Sequence, residues 1–112
     1  MGPITSWADE PCASWPAEAA ERYVGPWDEP TANPVLVIGN TFGPATPYEG
    51  AVALSKDLAR ARLLSVKAYE HTVLFNPSAC AKAYENRYLV EGTLPPPGSV
   101  CRQDEQPFAP SP

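Results

Sequence analysis

Five apolar residues in a row, Pro34 to Ile38 of "PVLVIGN", limit this chain more than any other stretch. A strand with one face in water alternates apolar and polar side chains, so an unbroken apolar run fits a strand covered on both faces, as in a parallel sheet. The residues after it agree with that. "TPYEGAVALSKDLARA", residues 46–61, sets Ala51, Leu54, Leu58 and Ala61 at spacings of three and four, with Glu49 near its start and Lys56 and Arg60 near its end. This predicts an amphipathic helix whose charges match its dipole. "RLLSVKAY", Arg62 to Tyr69, reads as a second strand. "NPSACAKAYENRYLVEG" opens with an Asn76 cap and Pro77 and ends before Gly92, which predicts a second long helix. Strand, helix, strand, helix implies two parallel neighbouring strands, because only a crossover connection can join such a pair.

The flanks are different in kind. Met1 to Pro34 carries six prolines and three tryptophans, Trp7, Trp15 and Trp27, and reads as mostly irregular chain with one short helix over "PAEAAERYVG", Pro16 to Gly25. The tail from Gly92 holds six of the fifteen prolines and no periodic apolar pattern, so alone it reads as a flexible arm. The expected division is an irregular segment 1–33, a strand-helix-strand-helix unit 34–92 and a proline-rich tail 93–112. Two parallel strands expose both edges and most of both faces. The fold class is therefore α/β, and the unit looks like the end of a larger sheet.

At 112 residues the chain is one domain at most, and such a chain buries only about two thirds of its unfolded surface. Eight basic and thirteen acidic residues give a net charge of −5, with the acids spread out, which argues against a nucleic-acid surface or an anionic membrane partner. No run reaches the length of a membrane span, and "MGPITSWADEP" lacks the basic start and apolar middle of a signal peptide. Cys12, Cys80 and Cys101 have no C-x-x-C spacing and a single histidine for company, so neither a metal site nor a cofactor is expected. Cys80 falls on the second predicted helix and Cys101 in the tail, where a disulfide would tie the tail down by about 3 kcal/mol in the chain-entropy model. Cys12 is then left over, with a partner in another chain or in sequence beyond this one; three reduced, buried thiols are the alternative.

Ligands and catalytic groups in open parallel sheets gather at the carboxyl ends of the strands. Two loops fall there: "GNTFGPATPY" after the first strand, and "YEHTVLFNP" after the second, which carries His71, the only histidine. An acid after one strand and a histidine after a later one is the chain order of α/β-hydrolases, whose nucleophilic serine comes earlier.

Together, "PVLVIGNTFGPATPYEGAVALSKDL", "YEHTVLFNPSAC" and "YLVEGTLPPPGSVC" resemble the C-terminal region of secreted actinobacterial serine hydrolases of the tripeptidyl aminopeptidase type, proline-iminopeptidase relatives with the α/β-hydrolase fold. The resemblance runs from Cys12 to Cys101. It implies that His71 stands where the family has its general base, within a "G-H-T" stretch. It also implies that Gly43 stands where the family has its catalytic aspartate, in an "N-T-x-D-P-A-T-P" loop. The carboxylate is thus lost at Gly43, and Glu70 replaces the glycine before the histidine. None of Ser6, Ser14, Ser55, Ser65, Ser78, Ser99 and Ser111 lies in a G-x-S-x-G elbow. The resemblance places the elbow, and the partner of Cys12, upstream in a full-length relative.

Glu70, Asp28 and Asp57 are the other acids weighed as partners for His71, and all three are poorly placed. Without the family, a lone histidine reads as a partly buried polar residue with no chemical role. Tyr48, Tyr69, Tyr84 and Tyr88 read as packing residues with polar tips, and the tryptophans as packing of the N-terminal segment or the rim of a peptide site. The expectation is the C-terminal segment of a secreted-type serine peptidase, inactive alone, with a peptide substrate only in a full-length context. The alternatives are a non-catalytic module that pairs with an upstream hydrolase half, or a gene remnant. The compartment stays open, since the family is largely secreted and this chain opens without an export signal.

Overall fold

The computed structural model describes residues 14–18, 20–74 and 77–108. Along the chain lie five elements: β1 (Val35–Asn40), α1 (Tyr48–Asp57), β2 (Ala61–Lys67), α2 (Ala79–Glu91) and β3 (Val100–Arg102). They form one parallel sheet in the order β1-β2-β3. β1 and β2 run in register from Val35 opposite Ala61 to Asn40 opposite Val66. β3 pairs with the last part of β2, from Ser65 opposite Val100 to Lys67 opposite Arg102. The α/β class and the parallel crossover expected from the apolar runs are both present.

The core is built on the central strand. Side chains alternate across a sheet, so Leu64, Val66 and Ala68 share one face; they are fully buried and cluster with Ala81 of α2 and with Cys101. Leu36, Ile38, Val73 and Tyr84 pack around that cluster. The other face takes α1, where the Tyr48 hydroxyl and Ser65 Oγ lie 2.6 Å apart. α1 comes so close to β1 that a Cβ placed on Gly39 would stand 2.8 Å from the Ala51 Cβ and 3.1 Å from the Tyr48 ring. Only glycine leaves room for that approach.

Three expectations need correcting. The tail is no loose arm, because β3 extends the sheet and its neighbours are tied in by Arg62 Nη1 donating to the Pro95 carbonyl at 2.8 Å and by Gln103 N donating to Lys67 O at 3.2 Å. The Cys80–Cys101 disulfide, with Cα atoms 5.6 Å apart, holds β3 to the first turn of α2. Proline abundance describes a segment without partners; here the partners lie on β2 and α2.

The second correction concerns Pro16 to Gly25, whose described residues form no helix. Tyr23 and Val24 are 59% and 71% exposed there. So short a helix needs an apolar face packed on a neighbour, and these apolar side chains are largely exposed among the described residues.

The third is the start of α2. Asn76 lies outside the described residues, and the cap is Ser78, whose hydroxyl accepts from Ala81 N and donates to Arg102 O. Asp104 adds a carboxylate that accepts from Ala79 N at 2.9 Å, favourable at a helix N-terminus. The cap and the tail are therefore one structure. Gly92 ends α2 in the left-handed conformation as its position suggests, with φ 67°.

Candidate active site

The loops after β1 and β2 meet at the carboxyl edge of the sheet. Thr41 N donates to Val66 O and Phe42 N to Ala68 O, so the ladder between the strands continues into the loops. The Asn40 side-chain amide donates to the Glu70 carbonyl at 2.7 Å. The Phe42 and Tyr69 rings stack with centroids 4.7 Å apart and planes 14° from parallel. Gly43 N then donates to Asn40 O, turning the chain, and Pro44 and Pro47 restrict φ on the way into α1.

This framework brings "FGPATP" against His71. His71 is exposed, and its Nδ1 lies 3.4 Å from the Thr46 hydroxyl. Among the described residues the hydrogen-bonding partner of the ring is thus a hydroxyl, not a carboxylate. Thr72, directly after it, has φ 119°, a conformation that a β-branched residue rarely adopts, and its own hydroxyl accepts from Leu74 N. The histidine sits at the tip of a sharp turn.

Gly43 also lies in the loop, facing the histidine segment. A Cβ built on it would be 3.3 Å from Thr46 O and 3.5 Å from Glu70 O, and its φ is one that ordinary residues adopt. The backbone therefore keeps a place for a side chain aimed across the two loops. Asp57 closes α1, whose chain returns to the opposite end of the sheet before β2 begins, and Asp28 precedes β1. Asp57 thus lies away from the carboxyl edge. Glu70 is exposed beside His71, and its carbonyl is the acceptor for Asn40.

Two depressions flank the contact. One, about 610 Å³, is lined by Pro44, Tyr69, Glu70, His71, Gln103 and Glu105, among others. The other, about 460 Å³, runs beside β1 and is lined by Ile38, Asn40, Thr46, Tyr48, Leu54 and Val73, among others. No group of three or more His, Cys, Asp or Glu able to hold a metal occurs among the described residues. No helix of the described residues is long and apolar enough to cross a membrane.

The packing candidates divide. Tyr48 and Tyr88 are part-buried with bonded hydroxyls, the latter donating to Pro34 O at 2.8 Å, as expected of packing residues with polar tips. Trp15 and Trp27 are 72% and 56% exposed, and Trp27 meets Tyr23 edge to face, so neither packs into the core. Trp7 and Cys12 lie outside the described residues. Sequence reasoning passes over Thr46 and Asn40. Both stand in the loop motif, but a hydroxyl three residues after Gly43 carries no sign of facing a histidine twenty-five residues on.

The family model described as "TAP-like protein" matches residues 1–101 of the chain. Serine protease Hip1 of Mycobacterium tuberculosis is 38% identical over 90 residues, which are 80% of this chain and 17% of that protein. Carboxylesterase B of the same organism is 34% identical over 90 residues, with the same coverage. Tripeptidyl aminopeptidase of Streptomyces lividans is 32% identical over 91 residues, 78% of this chain and 16% of that protein. The chain thus spans about a sixth of the length of the curated relatives it matches.

Proposed function

The chain belongs to the TAP-like family of α/β-hydrolases, and from that premise we propose that it is the histidine-bearing C-terminal unit of a serine peptidase or esterase of the aminopeptidase type. His71 is the residue in the general-base position, and the loop after β1 is the acid loop with its carboxylate gone at Gly43. The observation that carries this reading is the contact of the two loops: the Thr46 hydroxyl and His71 Nδ1 meet across the carboxyl edge of a parallel sheet. That is the side of the imidazole on which a serine-hydrolase triad has its acid, and it leaves Nε2 as the atom to exchange a proton with a serine.

In this role His71 takes the proton from a serine hydroxyl as the acyl group is attacked and returns it to the leaving amine or alcohol. The serine and its oxyanion hole come from an elbow that none of the seven serines of this sequence forms. The chain alone is therefore inert. Purified chain is assayed on short peptide anilides and on small esters, with a His71→Ala control. Turnover at background level in both supports the reading, and turnover that His71→Ala abolishes overturns it.

A second reading, a module that completes another hydrolase segment, is favoured by the exposed edge of β1. Val35 N and Thr41 N point to β2, so the alternate residues Leu36, Ile38 and Asn40 turn their backbone groups outward. Beside them, Asn40 Oδ1 and Thr41 Oγ1 are buried without a hydrogen-bond partner among the described residues. Buried polar atoms are rarely left unpaired. The N-terminal part of a relative, expressed without its own last sixth, is the partner to mix with the chain. Co-elution supports the module, and two separate peaks at micromolar concentration remove it.

A further inference from the structure

We propose that Thr46 is a positioning residue for His71: its hydroxyl accepts from Nδ1–H and holds the imidazole in the tautomer a general base needs, in place of the carboxylate absent at Gly43. The inference rests on the reading of His71 as the triad histidine and adds to it what sets the ring.

The geometry points this way on three grounds. Thr46 Oγ1 lies 3.4 Å from Nδ1, at the long end of hydrogen bonding, as catalytic bonds often are before substrate is bound. Thr46 is also a direct neighbour of position 43, since a Cβ on Gly43 comes within 3.3 Å of the Thr46 backbone carbonyl. The loop is also anchored on the histidine segment independently of this contact, by Asn40 on the Glu70 carbonyl, by Phe42 N on Ala68 O and by the Phe42–Tyr69 stack. Thr46 is brought to the ring by its surroundings, not by the ring itself.

A hydroxyl has one proton and two lone pairs. Thr46 is exposed, so its proton can turn to water while a lone pair faces Nδ1. When the hydroxyl accepts, the proton lies on Nδ1 and the Nε2 lone pair is free; when it donates, the reverse holds, and the tautomer ratio tells the two apart. Unlike a carboxylate, the hydroxyl carries no charge to stabilise the imidazolium that forms during proton transfer. Thr46 therefore supplies orientation and tautomer, and not the electrostatic part of the acid's role.

The full chain offers a clean readout because His71 is its only histidine. Two-bond ¹H–¹⁵N correlation spectra of the uniformly labelled chain, recorded where the ring is neutral, report the tautomer ratio directly. The expected result is a ring mostly protonated at Nδ1, a ratio of Nδ1–H to Nε2–H that falls about fivefold in Thr46→Val, and a wild-type ratio in Thr46→Ser. Unchanged far-ultraviolet dichroism and melting temperature show that the variants fold alike. A wild-type ring protonated mainly at Nε2, or a ratio that Thr46→Val does not move, overturns the proposal. Gly43→Asp separates this failure from that of the underlying reading. If the aspartate drives the ring to Nδ1–H while Thr46→Val does nothing, Thr46 is dismissed and the triad place of His71 stands. If neither variant moves the ratio, the triad reading falls with it.

Discussion

At Gly43, the position proposed for the family's acid, the backbone has a φ that any residue can adopt. Gly43→Asp therefore needs a few tenths of an ångström from the Thr46 carbonyl, while the Glu70 carbonyl at 3.5 Å is already in ordinary contact. Placed in a tripeptidyl aminopeptidase whose C-terminal segment has been exchanged for this chain, Gly43→Asp is expected to raise kcat, by less than the ~10⁴-fold of the template triad because Thr46 already sets the tautomer and the aspartate adds only its charge. Steady-state rates of the two chimaeras decide it, and equal rates would mean that another carboxylate serves His71. Gly39 is the opposite case, a glycine that cannot be replaced. The 2.8 Å approach to Ala51 means that Gly39→Ala must push α1 off the sheet. Overpacking of this kind costs about 1–3 kcal/mol, to be read as a lower midpoint in urea.

Among the elements, β3 depends most on others. Its three residues are too few to hold by pairing alone, and they are fixed by the disulfide, by Ser78 Oγ on the Arg102 carbonyl and by Asp104 at the start of α2. A bridge between cysteines 21 residues apart is worth about 3 kcal/mol in the chain-entropy model. Replacing Cys80 and Cys101 by alanine should lower unfolding free energy by about that amount. Amide exchange at Val100 to Arg102 should rise well before exchange at Leu64 and Val66; equal rates at both strands would show that β3 stays docked without the bridge. Ser78→Ala removes a cap and a tether together and is expected to cost about 1 kcal/mol or more, measured by the same urea titration.

For the molecule as a whole, the sheet is covered at its centre and open at both edges among the described residues. β2 is covered by a helix on each face and flanked by both other strands, whereas β1 and β3 each have one neighbouring strand. This arrangement fits a chain about a sixth the length of its relatives. It also makes a pattern that amide exchange resolves residue by residue. Leu36 and Ile38, whose N–H groups face outward, should exchange much faster than Val37 and Gly39, whose N–H groups face β2. Addition of a partner strand should slow Leu36 and Ile38 alone. Uniform protection along β1 in the isolated chain would show that the edge is already covered, as by a second copy.

Much of this fold is legible in the residues. Apolar runs at Val35–Ile38 and from Leu63 onward, with a period near 3.6 between them, are local patterns, and a parallel crossover comes out of them without knowledge of any contact. The pairing of Cys80 with Cys101 is legible through their places on a helix and a tail, while the roles proposed for His71 and Gly43 come from family motifs alone. The rest depends on groups distant in sequence. Whether Val100 to Arg102 is an arm or a strand turns on Arg62, Lys67 and Cys80, and whether Pro16 to Gly25 coils turns on what its apolar side chains pack against, which among the described residues is little. The order of elements and the parallel sheet are written in neighbouring residues, so the bare chain of letters suffices for them. That a threonine faces the histidine, and that the tail completes the sheet, emerges in three dimensions alone. Both come from packing that brings remote segments together, which no local pattern encodes.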